Sequence, residues 1–242
     1  MNIETREKLG IVFLHHRTDD VTLNNLRSFQ HWNPAATIVT MSSEESLPGG
    51  YSIQNMPGWA ERWREHTAKS DLRARSADLL VYAWYENRRE HCHRWLLVEW
   101  DSYCACPVDK FFGELIERDL VASVVHLPGE NGESWWWFGE RQSLPERLRS
   151  YAAGVTPFSF ILVSDRALSA MCRMLPSGNL GNGNCELRFA SLARACGFHP
   201  LANRQGAGRN DWRLIPKNTQ IGWGMWHPVK WLVRPTLLDN AL

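Results

Sequence analysis

Apolar residues recur along this chain at two spacings. Leu9 to His15 (Leu-Gly-Ile-Val-Phe-Leu-His) is an apolar run too short for a helix and rich in strand formers, and Thr37 to Met41 is another. Between them Leu23, Leu26 and Phe29 repeat at helical spacing behind Asp19 or Asp20, either of which can cap the first turn, and Asn33-Pro34 stops the pattern. Strand, helix and strand in succession form a βαβ unit, which favours a parallel sheet with a right-handed crossover. Ser42 to Gly58, rich in Ser, Glu, Pro and Gly, reads as a loop. From Ala60 to Glu90 the pattern is helical, with Leu72, Ser76, Leu79, Leu80, Ala83 and Trp84 on one side. The unbroken apolar run Trp95 to Val98 predicts a third strand buried on both faces.

Further along, Asp109 to Arg118 predicts a helix (Phe112, Leu115, Ile116), Val121 to His126 a strand, and Pro128 to Ser143 a polar, Trp-rich loop. Phe158 to Val163 predicts a strand, followed by a short helix capped by Ser164 or Asp165 and reaching Met174. Asn179 to Asn184 is a Gly/Asn loop, and Glu186 to Cys196 a helix with Phe189, Leu192, Ala193 and Cys196 inward and Gly197 at its end. Beyond it the pattern is irregular, with Trp223, Trp226, His227 and Trp231. There is no internal repeat, so the expectation is one α/β domain over 1–242, a mixed, mostly parallel sheet flanked by helices.

Composition narrows the function classes. With 242 residues the chain can bury a sizeable core, and a formal net charge of +1 removes the electrostatic case for non-specific nucleic-acid or acidic-membrane binding. The six cysteines do not make the dense framework of a disulfide-stapled domain. The charged start, Met1 to Lys8, does not read as a signal peptide, and no run reaches the roughly 18 apolar residues of a membrane helix, so a cytoplasmic protein without a membrane span is expected. The 13 tryptophans are unusual. Indoles fill cores, but they also offer flat faces to the C–H surfaces of sugar rings, and Trp135-Trp136-Trp137-Phe138 is the densest run.

Several chemistries lack their signatures. No GxGxxG follows the first strand, no Walker lysine is present, and no Gly-x-Ser-x-Gly elbow occurs. His91-Cys92-His93 and Cys104-x-Cys106 flank opposite ends of a strand at a spacing unsuited to a zinc ribbon or finger. Glu99-Trp100-Asp101 is different: it puts two carboxylates at the carboxyl end of a buried strand, where open α/β sheets bind ligands. Such oxygens suit a hard divalent cation shared with phosphates. The ordinary alternative is a solvated acidic strand end.

The order of these segments resembles the GT-A glycosyltransferase superfamily, over about residues 10 to 231. Gly10-Ile-Val-Phe-Leu-His-His-Arg-Thr18 with Leu23-Asn-Asn-Leu-Arg-Ser-Phe29 looks like the first strand and helix, Lys69 to Trp84 like the helix before the metal strand, and Leu96-Leu-Val-Glu-Trp-Asp101 like the strand with its Asp-x-Asp motif. Glu99 stands where that motif has its first aspartate. Pro157 to Ser164 with Arg166-Ala-Leu168 looks like the elements beside the acceptor site. The resemblance implies a single GT-A domain, with a nucleotide-binding half at about 8–126 and an acceptor-binding half at about 127–235. It implies a Mn²⁺ or Mg²⁺ ion on Asp101 and His227, with Arg17, Glu99 and Lys230 contacting the nucleotide sugar, most simply a UDP-sugar. Glu186 would be the base that activates a glycan or other hydroxyl acceptor, with inversion at the anomeric carbon. Two other classes compete. A nucleotidyltransferase would need a Gly-rich basic loop where His15 to Asp20 stands, and a non-catalytic carbohydrate-binding protein would draw on the tryptophans.

Overall fold

The computed structural model describes residues 8–68, 75–175, 181–204, 208–210, 213–217 and 219–233. The first unit forms as its periodicity predicts: β1 (Leu9–His15), α1 (Asp20–Trp32) and β2 (Thr37–Ser42). Asp19 caps α1, its carboxylate accepting the Thr22 N–H at 2.9 Å. After β2 come a two-residue strand β3 (Tyr51–Ser52), inside the segment read as loop, then α2 (Pro57–His66) and α3 (Ala77–Asn87). The single helix expected over Ala60 to Glu90 is therefore two helices. Leu72, with the whole stretch 69–74, lies outside the described residues.

The strand β4 (Arg94–Glu99) is buried from Trp95 to Val98. It lies parallel to β1, with Gly10 opposite Trp95 and Leu14 opposite Glu99. A Cβ on Gly10 would sit 2.1 Å from the Trp95 ring, so this pairing needs glycine there. Past β4 the chain forms β5 (Tyr103–Cys104), α4 (Val108–Phe112), β6 (Leu120–Ala122), β7 (Val124–His126), α5 (Glu146–Arg149), β8 (Gly154–Thr156), β9 (Ile161–Ser164), α6 (Asp165–Met174), α7 (Cys185–Ala195), β10 (Leu201–Ala202), β11 (Gly208–Asn210) and β12 (Met225–His227).

The central sheet has seven strands in the order β10-β6-β9-β4-β1-β2-β3, and only β9 runs against its neighbours. One face packs Ile11 and Phe13 with Leu26 and Phe29 of α1, while the other packs Val12 and Leu14 with α3 and α7. Two small sheets stand beside it, β11-β12-β5 and β7-β8. No helix among the described residues is long and apolar enough to cross a membrane.

Four segments depart locally from the reading of the sequence. Gly113, at φ 52°, ends α4, and the rest of the predicted Asp109–Arg118 helix is the 3₁₀ turn Gly113–Glu117. The predicted strand Val121–His126 divides at Ser123, so that β6 stays in the central sheet and β7 pairs with β8. Phe160 takes φ 55°, a left-handed value that interrupts the extended run, and β9 starts at Ile161 instead of Phe158. The Trp-rich segment is not all loop, because Trp136–Ser143 is a 3₁₀ helix.

Candidate active site

The carboxyl ends of β1 and β4 lie side by side, and the first residues past each build the site. Glu99 closes β4 and the chain turns at Trp100–Asp101, which directs both acids toward a third group from far along the sequence. That group is His227 at the end of β12. Its strand pairs antiparallel with β5, Trp226 opposite Tyr103, just after the acidic turn. The His227 Nε2 lies 3.2 Å from Asp101 Oδ1 and 3.4 Å from Glu99 Oε2. One ligand atom from each of Glu99, Asp101 and His227 lies within 4.8 Å of the others, and among the described residues no other group of this kind occurs. The sequence-predicted metal pair Asp101 and His227 is thus brought together, with Glu99 as a third donor.

Charge is crowded here. Burial opposes a proton on His227, yet hydrogen bonds and the charges of Asp101 and Glu99 outweigh it and push the imidazole up to about 10. Burial would raise Asp101 too, but His227 and Lys230 hold its carboxyl below the ordinary range, while burial raises Glu99 despite the pull of His227. The His227 Nε2 is thus placed between the two acids, within reach of both. Two carboxylates and one imidazole are a donor set that could hold a divalent metal ion, and such an ion would take the place of a proton on the imidazole.

Above this triad lies a cationic rim that sequence reasoning found only in part. Lys230 Nζ is 3.4 Å from Asp101 Oδ2, with the side chain half exposed. It also lies 5.5 Å from the centre of the Trp100 ring, and the Arg17 guanidinium lies 4.4 Å from the same ring. His16 meets that indole edge-on at 5.2 Å. Arg17 additionally pairs with Asp19 at 3.4 Å. The role of Trp100 was not read from the sequence, although its place between two acids at a strand end was a usable signal.

Glu186 is in the first turn of α7, near enough to Glu99 and His227 for their charges to act on it. Its backbone N–H donates to the cap residue Asn184 at 2.7 Å. Burial pushes its carboxyl up to about 8, with Glu99 adding to the rise and the Phe158 N–H, which donates to the carboxylate, opposing it. The loop before it is pinned by a buried network: Arg188 donates to both Asp78 oxygens and to the carbonyls of Gly183 and Arg75, and meets His66 at 3.0 Å. The part of the expected Asn179–Asn184 loop before Gly181 lies outside the described residues. Glu140 of the Trp136–Ser143 turn receives Arg75 and, at 3.1 Å, the Asn184 N–H. The Trp-bearing turn is thereby fastened to the start of the Glu186 helix.

No protein-family model matches this chain, and no curated protein matches it. Among solved structures the chain is similar to mouse xyloside xylosyltransferase 1 in its apo form, at 11% identity over 91% of this chain and 97% of that one, with a TM-score of 0.44. It is also similar to the galactosyltransferase LgtC in complex with donor and acceptor sugar analogs, at 12% identity over 76% of this chain and 70% of that one, with a TM-score of 0.35. At these values the functional reading has to stand on the site itself.

Proposed function

We propose that this chain is a divalent-metal-dependent glycosyltransferase that moves a sugar from a nucleoside diphosphate sugar, UDP-linked, to a hydroxyl acceptor with inversion. The observation that carries this reading is the convergence of Glu99, Asp101 and His227 under the rim of Arg17, Lys230 and Trp100. A set of acids alone would serve many purposes. Acids that gather a cation beside two further cationic side chains suit a ligand with two adjacent phosphates.

In this mechanism Asp101, Glu99 and His227 would hold Mn²⁺ or Mg²⁺, and the ion would supply positive charge to the leaving diphosphate. Lys230 and Arg17 add fixed charge to the same leaving group, so it is stabilised without waiting for water to reorganise. Glu186 takes the proton from the acceptor hydroxyl that attacks the opposite face of the anomeric carbon. A carboxyl lifted to about 8 is a stronger base than an ordinary glutamate and close to working pH. The acceptor lies over the Trp136–Trp137 turn, where Trp136 is 82% exposed and free to stack on a sugar face. The half at about 8–126 supplies Arg17, Glu99 and Asp101 to the nucleotide sugar, while the half at about 127–235 supplies Glu186 and the Trp136–Trp137 turn to the acceptor and returns His227 and Lys230 to the donor side.

Thermal melting with UDP, with Mn²⁺ and with both tests the class. Stabilisation by UDP that requires Mn²⁺ is the expected result. If Asp101→Ala keeps full metal-dependent UDP binding, the metal assignment is wrong. Product analysis separates the alternatives: UDP accompanies sugar transfer, pyrophosphate accompanies nucleotidyl transfer, and glycan binding that needs neither nucleotide nor metal marks a lectin-like protein. Glu186→Gln should retain donor binding and lose about 10²–10⁴-fold in turnover, and near-wild-type turnover would remove Glu186 from the base role.

A further inference from the structure

The triad has to be assembled from two segments far apart in sequence, the end of β4 with the turn after it and the end of β12 with the residues after it. Besides the side-chain contacts of His227 and Lys230 with the two acids, the segments meet in a backbone hydrogen bond, the Val229 N–H donating to the Asp101 carbonyl at 2.6 Å. A third element reaches both. Asn25 of α1 is fully buried, and its side-chain Nδ2 donates to the Trp100 carbonyl at 3.1 Å and to the Val229 carbonyl at 3.0 Å. Both partners are acceptors, so the nitrogen of the amide has to face them, and both of its hydrogens are used. Trp100 lies between Glu99 and Asp101, and Val229 lies between His227 and Lys230.

We infer that Asn25 is the positioning residue of the site, which fixes the segment carrying His227 and Lys230 against the segment carrying Glu99 and Asp101. Two features support a role specific to this junction. The Asn25 Oδ1 is buried with no hydrogen-bond partner, a cost that a merely space-filling residue would avoid. A serine or leucine would fill the position without that cost but could not donate two hydrogen bonds to two carbonyls. The residue also comes from a rigid helix whose Leu26 and Phe29 are packed into the core, so the two segments are referred to a fixed frame rather than only to each other. This inference rests on the metal-site reading for its functional meaning and on hydrogen bonding alone for its structural part.

The experiment uses the full chain with Asn25→Ala and Asn25→Asp, the latter keeping shape while removing both donors. Asn33→Ala is the control, because Asn33 is also a buried asparagine of the α1 end, and its side chain bonds the Phe29 carbonyl, the Val108 N–H and, at 3.7 Å, the Cys104 Sγ, but neither Trp100 nor Val229. Hydrogen exchange of the Val229 amide and Mn²⁺ affinity without donor are measured on each. Both Asn25 variants should lose at least about tenfold in Val229 protection and about 10–100-fold in Mn²⁺ affinity, and the Asn33 variant should lose neither beyond its global destabilisation. Unchanged Val229 protection in the Asn25 variants overturns the positioning role. Wild-type protein that binds no Mn²⁺ overturns the metal reading instead, while the exchange data still decide what Asn25 does.

Discussion

Among the described residues, the buried charges around Arg188 and those around His227 are built to opposite plans. At the start of α7, Arg188 and Asp78 are 2% and 0% exposed in their side chains, one cation against one anion, and the remaining guanidinium donors go to backbone carbonyls and His66. At the carboxyl edge of the sheet, Glu99 and Asp101 share one buried cation, His227, and a second, Lys230, that is half exposed. The first cluster is closed: each group has its partner and none could take a ligand without losing one. The second sets two carboxylates against one buried imidazole and one half-exposed ammonium, and the proton on the imidazole can be exchanged for a metal ion. Burial alone does not mark a functional site; what distinguishes the second cluster is that one ligand atom from each of three side chains converges on a single place.

The largest effect should come from breaking the closed cluster. Arg188→Leu leaves Asp78 buried and unpaired, and should cost about 3–5 kcal/mol in urea unfolding, a loss that Mn²⁺ does not repair. A smaller cost than Asp101→Asn in metal-free protein would mean that the two clusters are not different in kind.

Glu186 gives the next effect, through pH. Its folded pKa is raised from 4.5 to about 8, so the unfolded state releases this proton first and the folded state is penalised progressively as pH rises from about 4.5 to about 8. Stability from this group is therefore full below pH 4.5 and lost by pH 8. Metal-free Glu186→Gln, which has no such proton to release, should gain on wild type across that interval by a few kcal/mol at most. A stability difference that stays flat with pH would show that the carboxyl is not raised.

Filling the open cluster should stabilise the fold by about 2.7 kcal/mol when Mn²⁺ is at one hundred times its dissociation constant. Asp101→Asn should abolish that gain, whereas Arg188→Leu should keep it in whatever fraction folds. Trp100→Leu should have the smallest effect. Each cation held on an indole contributes about 0.5–1 kcal/mol, so the donor KM should rise several-fold while Mn²⁺ affinity stays within twofold. Loss of metal binding in this variant would instead place Trp100 in the framework of the triad.

Much of this was legible in the residues, and what was not has a common cause. The strands at Leu9–His15 and Arg94–Glu99 and the capped helix between Asp20 and Trp32 follow from period and capping alone, because each has one dominant local signal. Asp101 and His227 were legible as candidates because of their residue types and their order along the chain, and the structure brings them to 3.2 Å. The break between α2 and α3 was hidden because α3 is buried on every side from Ala77 to Tyr85, so its apolar face gives no phase. Arg188 reads as an ordinary helix arginine until Asp78 is seen to face it. Asn25 was invisible as a site residue because its contacts are with segments distant in sequence, and Trp100, although its place between two acids was a signal, meets Lys230 only in the fold.

The pairing of β12 with β5 has a consequence for the order in which the protein comes into being. As the chain is synthesised from its amino end, β1, β2 and β4 can join and bury their apolar faces while His227 has not yet been made. Glu99 and Asp101 then wait at an incomplete edge without the imidazole that holds them together. Any capacity to grip a cation with all three donors arises late, only after nearly the whole described chain has left the ribosome and β12 has added itself beside β5.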